Sequence, residues 1–446
     1  MLIGIDASRA FVARPTGTER YSREIIRSLL EIDKKNTYVL YTRPDVSSAG
    51  DASRGLRRVP VANRASRVSE DIGRGCAAAG PAEILPIPFP FLWTQAGLAL
   101  ETWLRPPDVL FIPAHTLPIL RRPGVKTVVT IHDLGAEWLP EYHQFPQKKY
   151  LTWSTEYALA HADAVIAVSE ATKKDAVKRY RSIIKDINLI TVIPEGVDTK
   201  VFHPRPEEEV MQMFEKYGLF CERSTRDVHP WVQAKITCEA SKRRNHGCKA
   251  VEASLKKFPK YFLFVGTIQP RKNLVRLIEA FSKVCHSGGS AATDRISRLV
   301  LIGKRGWLSD EIYAAAQKVN DESNNDYIRF LDNVPTEDLP AFYSGATALV
   351  FPSLFEGFGL PILEAMACGC PVMTSNVSSM PEVGGNAVEY VDPYNIEDIK
   401  QKIQLLANDE ERCQELRKKG LERAKKFTWE AAARKTLAVL EGVVSA

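Results

Sequence analysis

Short apolar runs alternate with longer amphipathic runs along most of the chain. The short runs are rich in β-branched and aromatic residues, which favours strands, and the longer runs carry apolar residues at helical spacing. The short runs are apolar along almost their whole length, as expected for strands covered on both faces of a sheet. The alternation therefore predicts βα units and parallel sheets, which is an α/β fold.

The alternation falls into two series. The first series predicts the strands Leu2–Asp6, Tyr38–Tyr41, Val109–Ile112, Thr127–Ile131, Ala164–Val168 and Leu189–Ile193, with helices at Glu19–Ile32, Gln147–His161 and Glu170–Arg181. The second series predicts the strands Tyr261–Val265, Leu299–Ile302, Ile328–Leu331, Leu349–Phe351 and Val372–Thr374, with helices at Leu274–Cys285, Ser309–Val319 and Pro361–Cys368. A last helix follows near Trp429–Val444.

Two such series separated by a linker predict two doubly wound domains. We expect a first domain over residues 1–195, a second domain over residues 196–425, and a C-terminal helix over residues 426–446 that can return to the first domain. Residues 221–257 are polar and rich in Lys and Arg, which predicts an insertion or loop. Ligands of such sheets bind beyond the carboxyl ends of the strands, so we expect a cleft between the domains.

The composition is that of an ordinary globular protein. The chain has 446 residues, of which 45% are hydrophobic and 26% are charged, and its formal net charge is +6. This length is too great for one core and suits two domains. The positive charge comes without basic–aromatic interleaving or a recognised nucleic-acid module, so we expect no nucleic-acid partner.

Cysteine spacing gives no sign of a metal or redox site. None of the eight cysteines forms a C-x-x-C pair. Cys238, His246 and Cys248 come nearest to a ligand cluster, but they lack a fourth ligand at a usual spacing. We therefore expect no metal and reduced cysteines, which fits a cytoplasmic protein.

Two segments leave membrane contact open. The segment Leu85–Leu104 is apolar and aromatic but interrupted by prolines and polar residues, which favours the core or an acceptor cleft over membrane attachment. The arginine-rich stretch Arg54–Arg74 is either a solvated loop or a contact for an anionic acceptor or membrane surface. Nothing approaches the length of a membrane span, and Met1–Asp6 lacks the features of a signal peptide. We expect a cytoplasmic location, with the inner face of the membrane as an option.

The most informative segment follows the predicted strand that ends at Phe351. A loop containing Glu356 leads into a helix that opens with Pro361. The backbone N–H groups of Phe358, Gly359 and Leu360 should then point out of a helix N-terminus and form an anion site. Glu356 and Glu364, which we place on the first helical turn, bracket this site and can accept hydrogen bonds from hydroxyls. The alternative is two surface glutamates that the helix dipole favours.

This segment resembles the E-x7-E motif of the retaining GT-B glycosyltransferases of family GT4. The resemblance covers most of the chain and implies two Rossmann-like domains that face a central cleft. In that family the first Glu contacts the transferred sugar and the second contacts the ribose of the donor. The resemblance therefore implies a catalytic role for Glu356 and a donor-binding role for Glu364.

Three further segments resemble the same family. A strand followed by Gly266, Thr267, Arg271 and Lys272 resembles its phosphate-binding loop, with Thr267 where the family has arginine. Cations at a helix start oppose the dipole, which favours a role in neutralising a diphosphate. His132 resembles the family histidine that faces sugar and acceptor, and Gly17 resembles a loop glycine near the donor. Asp133 and Asn333 are additional candidates.

The expected function is retaining transfer of a hexose from a nucleotide-diphosphate sugar. The resemblance favours mannose or a rhamnose-like sugar, and a glycan or polyprenyl-diphosphate-linked acceptor in polysaccharide assembly. No D-x-D motif is evident, so we expect no metal and no other cofactor. The alternatives are a nucleotide-sugar epimerase of the same architecture and a catalytically silent nucleotide-sugar-binding scaffold. An acceptor-independent product would indicate the epimerase.

Overall fold

The computed structural model describes residues 1–12, 17–44, 82–89, 91–135, 147–219, 260–286 and 296–446. The arginine-rich stretch, the predicted insertion over residues 221–257, and the cluster of Cys238, His246 and Cys248 lie outside the described residues.

The first domain is built on a seven-stranded parallel sheet with the strand order β3-β2-β1-β4-β5-β6-β7. Its strands are β1 Leu2–Asp6, β2 Thr37–Thr42, β3 Ala82–Pro86, β4 Val109–Ile112, β5 Lys126–Ile131, β6 Ala164–Ala167 and β7 Ile190–Val192. Its helices are α1 Gly17–Ile32, α2 Ala99–Leu104, α3 Gln147–His161 and α4 Glu170–Tyr180. A short π-helix, Trp93–Leu98, precedes α2.

The second domain has a six-stranded parallel sheet with the order β10-β9-β8-β11-β12-β13. Its strands are β8 Lys260–Val265, β9 Ile296–Ile302, β10 Ile328–Leu331, β11 Ala348–Phe351, β12 Val372–Ser375 and β13 Glu389–Val391. The helices from the linker onward are α5 Glu207–Lys216, α6 Leu274–His286, α7 Asp310–Ser323, α8 Leu339–Gly345, α9 Leu360–Ala367, α10 Met380–Gly384, α11 Ile396–Asn408, α12 Glu410–Ala424 and α13 Trp429–Ser445.

The central strands of both sheets are fully buried, as their apolar sequences predict. All four residues of β4 and of β11 are buried, and the helices pack on the sheet faces. Local signals set the helix ends where the sequence suggested them. Ser169 is the N-cap of α4, because its hydroxyl accepts a hydrogen bond from the N–H of Thr172.

The helix α13 packs against the first domain although it follows the second in sequence. It contacts α1 and the strands β4, β5 and β6. The linker after β7 passes so close to the start of this helix that a Cβ built on Gly196 would lie 2.3 Å from the backbone N of Trp429. Only glycine allows the two chain segments that connect the domains to approach each other in this way.

The sequence missed several elements. The strands β3 and β13 and the helices α2, α5, α8, α10, α11 and α12 were not predicted. The strand β3 is half-exposed and mixed in polarity, and β13 has three residues, so neither shows the long apolar run that marks the buried strands. The segment Leu85–Leu104 lies only partly in the core. Trp93 and Leu98 are buried, whereas Phe91 and Leu92 are 84% and 73% exposed.

Candidate functional site

Glu356 lies at the centre of a buried group of charges. Lys272 donates to its Oε1 at 2.5 Å, and Arg271 lies 3.3 Å from its Oε2. Burial disfavours the carboxylate, but the two cations outweigh burial and lower the pKa of Glu356. Burial also lowers the pKa of Lys272. Glu356 is therefore ionised, and two cations face it across a site shielded from water.

The cations are carried by the loop that follows β8. Arg271 and Lys272 lie on a short 3-10 turn before α6, and Arg271 also donates to the carbonyl of Phe355 at 2.7 Å. Lys272 lies over the ring of Phe351, 5.0 Å from its centroid. Ligands of parallel sheets bind at these strand ends, and β8 and β11 are neighbours in the sheet. The topology therefore brings together motifs that are far apart in sequence.

The loop after Glu356 presents backbone N–H groups. Gly359, with φ 111°, precedes the first turn of α9, and Pro361 occupies that turn. The hydroxyl of Ser379 donates to the carbonyls of Glu356 and Phe358, both at 2.9 Å, and so fixes the loop. Within the described residues, the N–H groups of Phe358 and Gly359 have no hydrogen-bond partner. They remain available to an anion.

Glu364 lies on the second turn of α9, because the helix begins at Leu360. The prediction that it lies on the first turn was wrong. The carboxylate is buried and accepts a hydrogen bond from the hydroxyl of Tyr343 at 2.9 Å. Arg20, from α1 of the first domain, donates to its other oxygen. Arg20 and Tyr343 thus fix the orientation of the Glu364 carboxylate where the two domains meet.

His132 follows β5 at the facing edge of the first sheet. Its Nε2 lies 2.9 Å from the carbonyl of Pro113, and its Nδ1 lies 3.3 Å from Oε1 of Glu195. A carbonyl can only accept, so Nε2 carries a hydrogen and donates it. The ring packs edge-on against Tyr21, with 4.7 Å between centroids. His132 is therefore held in one orientation beside the cleft.

The two domains are in direct contact at this point. A Cβ built on Gly357 would lie 1.8 Å from the carbonyl oxygen of His132, so the two backbone segments meet without room for a side chain on Gly357. Ser169 donates to the carbonyl of Gly357 at 2.7 Å. Arg271 lies 3.8 Å from Asp133. Burial raises the pKa of Asp133, but the charge of Arg271 and the hydrogen bond from Gly135 outweigh it and lower this pKa. Asp133 also accepts from the N–H of Gly135 at 3.0 Å.

Other predicted residues lie around this centre without touching Glu356. Gly17 opens α1, and a Cβ built there would meet none of the described residues within 4 Å. Gly266 and Thr267 follow β8, and a Cβ on Gly266 would lie 3.8 Å from Cε of Lys272. Asn333 follows the edge strand β10 and has a left-handed backbone with φ 61°, which indicates a turn residue. These placements leave the predicted donor-binding roles untested.

Sequence reasoning missed three residues at this site, Arg20, His115 and Tyr343. His115 follows β4, next to the strand that carries His132, and its position at a strand end was the available signal. Burial lowers the pKa of His115 to about 4, and its Nε2 is buried without a hydrogen-bond partner in the described part of the chain. No local pattern marks Arg20 or Tyr343, because only the tertiary structure brings them to Glu364.

Comparison with known proteins decides the family. The description Glycosyltransferase Family 4 matches residues 15–201, and Glycosyl transferases group 1 matches residues 249–423. The O-antigen chain mannosyltransferase B of Escherichia coli is 30% identical over 312 residues, which cover 70% of this chain and 69% of that protein. The chain belongs to glycosyltransferase family 4. It is an enzyme of the EC 2.4 class, which transfers a sugar from an activated donor to an acceptor.

A further relative agrees with this family, and solved structures share the fold. The serotype-specific mannosyltransferase WbdA of Escherichia coli is 31% identical over 327 residues, which cover 71% of this glycosyltransferase and 33% of the longer WbdA. Sucrose-phosphate synthase from Thermosynechococcus elongatus has a TM-score of 0.66 at 17% identity, covering 100% of this chain and 99% of that one. WaaG, a glycosyltransferase involved in lipopolysaccharide biosynthesis, has a TM-score of 0.64 at 14% identity, covering 99% and 100%. The predicted GT-B fold is confirmed.

Proposed function

We propose that this glycosyltransferase moves a hexose, mannose in the first instance, from a nucleotide-diphosphate sugar to a glycan acceptor with retention of configuration. The observation that carries the proposal is the pairing of Lys272 and Arg271 with Glu356 beside the N–H groups of Phe358 and Gly359, which have no hydrogen-bond partner among the described residues. Mannose is supported by the names of the relatives, O-antigen chain mannosyltransferase B and WbdA. Polysaccharide assembly is supported by the same relatives.

The charges of the site suit departure of a diphosphate. Lys272, Arg271 and the start of α9 lie where negative charge would develop as the bond between the sugar C1 and the diphosphate oxygen breaks. Glu356 is ionised and can accept a hydrogen bond from a sugar hydroxyl. The acceptor oxygen would form the new bond to C1 on the same face, and its proton would pass to the departing phosphate. In this proposal cations and backbone dipoles of the protein balance the diphosphate charge, and no metal is required.

A nucleotide screen tests this proposal. We expect one of UDP, GDP, dTDP and ADP, in the presence of EDTA, to raise the melting temperature of the wild type and to raise that of Glu364→Ala much less. A ligand at a hundred times its Kd stabilises the fold by about 2.7 kcal/mol, which is easily measured. If a folded protein responds to none of the four, the donor site is placed wrongly. The comparisons do not favour the epimerase.

The acceptor is proposed to be lipid-linked and to be reached at a membrane surface. An exposed apolar surface of the first domain supports this, and we call it the apolar shoulder. It consists of Phe91, Leu92, Leu100, Trp103, Leu104 and Leu120. Trp103 donates to the carbonyl of Leu120 at 2.8 Å, which joins the α2 segment to the loop after β4. None of the described helices has the length and apolar character needed to cross a membrane.

Positive charge beside the apolar shoulder favours an anionic lipid surface as its occupant. Arg122 is exposed in the loop after β4, and Arg121 is partly exposed next to it, whereas Arg105 at the end of α2 pairs with Glu83 at 3.4 Å. Apolar side chains that enter the interface, flanked by cations that meet anionic headgroups, are the usual means of peripheral binding. The shoulder and His132 lie on the same domain, so a lipid-linked acceptor could remain in the membrane while its glycan reaches the cleft.

Vesicle flotation tests this membrane contact. We expect the wild type to float with vesicles that contain phosphatidylglycerol and to float less with phosphatidylcholine alone. The triple change Phe91→Ser, Leu92→Ser and Leu104→Ser should abolish flotation, because it removes the exposed apolar area. The control Leu308→Ser removes an exposed leucine of the second domain and should float normally. If the wild type does not float, and the triple variant loses a dimer that the wild type forms on gel filtration, the shoulder binds a second copy instead.

A further inference from the structure

Arg20 belongs to the first domain but its guanidinium lies inside the site of the second. It extends from α1 and donates to Oε1 of Glu364 on α9. It also donates to the hydroxyl of Thr336 at 3.3 Å and lies over the ring of Phe202, 5.5 Å from the centroid. These three partners surround the side chain, so Arg20 has one defined position when the domains are together.

The carboxylate of Glu364 has capacity left after these contacts. Arg20 takes one position on Oε1, and the hydroxyl of Tyr343 takes one on Oε2 at 2.9 Å. An ionised carboxylate offers about four acceptor positions, so about two remain. Two is the number that the vicinal hydroxyls of a ribose would use. A guanidinium that blocked the carboxylate would engage both oxygens in a bidentate pair.

We propose that Arg20 is a positioning residue of the donor site. It holds the Glu364 carboxylate, together with Tyr343, so that the remaining acceptor positions face the ribose hydroxyls of a nucleoside diphosphate. This inference rests on the proposed function, because it takes Glu364 as the ribose acceptor. It adds that recognition of the nucleoside is completed by the first domain.

Burial of the ion pair between Arg20 and Glu364 couples donor binding to contact between the domains. Glu364 is buried, and a buried carboxylate without a cation is strongly disfavoured. Arg20 supplies that charge only when the domains are in contact, because α1 and α9 belong to different domains. Donor binding and domain contact should therefore favour each other, since both require the same orientation of one carboxylate.

The test compares a ribonucleotide with its dideoxy analogue in wild type and Arg20→Met. Calorimetry would use GDP and 2′,3′-dideoxy-GDP, or the UDP pair if the nucleotide screen selects UDP. We expect the wild type to bind the ribonucleotide more tightly than the analogue. Arg20→Met should weaken the ribonucleotide by about tenfold, the loss typical of one hydrogen bond to a charged group, and should leave the analogue almost unchanged. Arg20→Lys should recover part of the difference.

Other outcomes overturn the inference in recognisable ways. An equal loss for both nucleotides would make Arg20 a structural residue, and tighter binding in Arg20→Met would make it a blocking one. If the wild type binds both nucleotides equally, Glu364 is not the ribose acceptor, and that part of the proposed function fails instead.

Two further variants keep the result interpretable. Arg27→Met removes another α1 arginine, which pairs with Asp198 at 2.8 Å, and should leave both affinities unchanged. Tyr343→Phe removes the second group that holds Glu364 with little change of shape, so it tests the inference even if Arg20→Met folds poorly. It should weaken the ribonucleotide selectively, and an unchanged preference in Tyr343→Phe would contradict the holding role.

Discussion

Replacement of Glu356 by glutamine is expected to reduce the turnover number by about 10²- to 10³-fold, the range for loss of one group that acts on developing charge in a transition state. Glutamine keeps the shape but removes the charge that Lys272 and Arg271 now neutralise. The two cations would then attract a diphosphate more strongly. We therefore expect equal or tighter binding of the nucleoside diphosphate in Glu356→Gln, together with a lower melting temperature without ligand.

A second buried glutamate provides the control for this variant. Glu389 on β13 pairs with Lys402 at 2.7 Å and with Arg412 at 2.5 Å, so it also balances two cations, but it contacts none of the residues of the site. Glu389→Gln should show a similar loss of stability with normal turnover. Transfer assays and calorimetry on both variants separate the two effects. Near-normal turnover in Glu356→Gln would remove Glu356 from the mechanism.

The second large effect is expected for Gly357→Ala. The added Cβ would lie 1.8 Å from the carbonyl oxygen of His132 and 2.7 Å from its carbonyl carbon, and neither backbone atom can move aside cheaply. The domains would have to separate, which misplaces groups of the first domain relative to the donor. Misplacement by about 1 Å can reduce a rate by about 10²-fold, and we expect at least that loss in the turnover number.

Binding and stability should distinguish this effect from misfolding. The nucleoside diphosphate should still bind Gly357→Ala, weaker by no more than about tenfold, because its main contacts belong to the second domain and separation of the domains removes the contribution of Arg20. The melting temperature should change little. Gly442→Ala on α13 is the control, because a Cβ there meets nothing within 4 Å. If Gly357→Ala turns over at the normal rate, the close contact between Gly357 and His132 does not belong to the reacting state.

Two further polar residues follow strands of the first domain. His115 has a buried Nε2 without a partner among the described residues, and it lies at a strand end next to His132. Arg43, at the end of β2, lies 5.8 Å from the ring centroid of Trp93, which leads toward the apolar shoulder.

Local patterns in the sequence were sufficient for most of the fold. Buried strands such as β4 and β11 are continuous apolar runs, and the N-cap of α4 is a serine at the expected place. Such signals depend on neighbouring residues alone, so they can be read without the fold. Elements with weak local signals, such as β3 and β13, were missed because their pairing with β2 and β12 defines them as strands.

The sequence also predicted that the charged groups and the backbone N–H groups of the site lie at strand ends. The loop from Glu356 to Leu360 and the cations Arg271 and Lys272 follow buried strands, and parallel strands all end at one edge of a sheet. Their encounter could therefore be expected from topology, and the structure brings Lys272 within 2.5 Å of Glu356. The family assignment rested on the same motifs and is confirmed by the comparisons.

Only the tertiary structure decided how the two domains share the site. Arg20 and Glu364 are 344 positions apart, and no periodicity or spacing connects them. The same holds for His132 with Glu195 and for the exposure of Phe91 and Leu92. The physical reason is that burial and ion pairing depend on which surfaces pack together, and that choice is made by the whole chain, whereas helices, strands and loop motifs are set largely by their own residues.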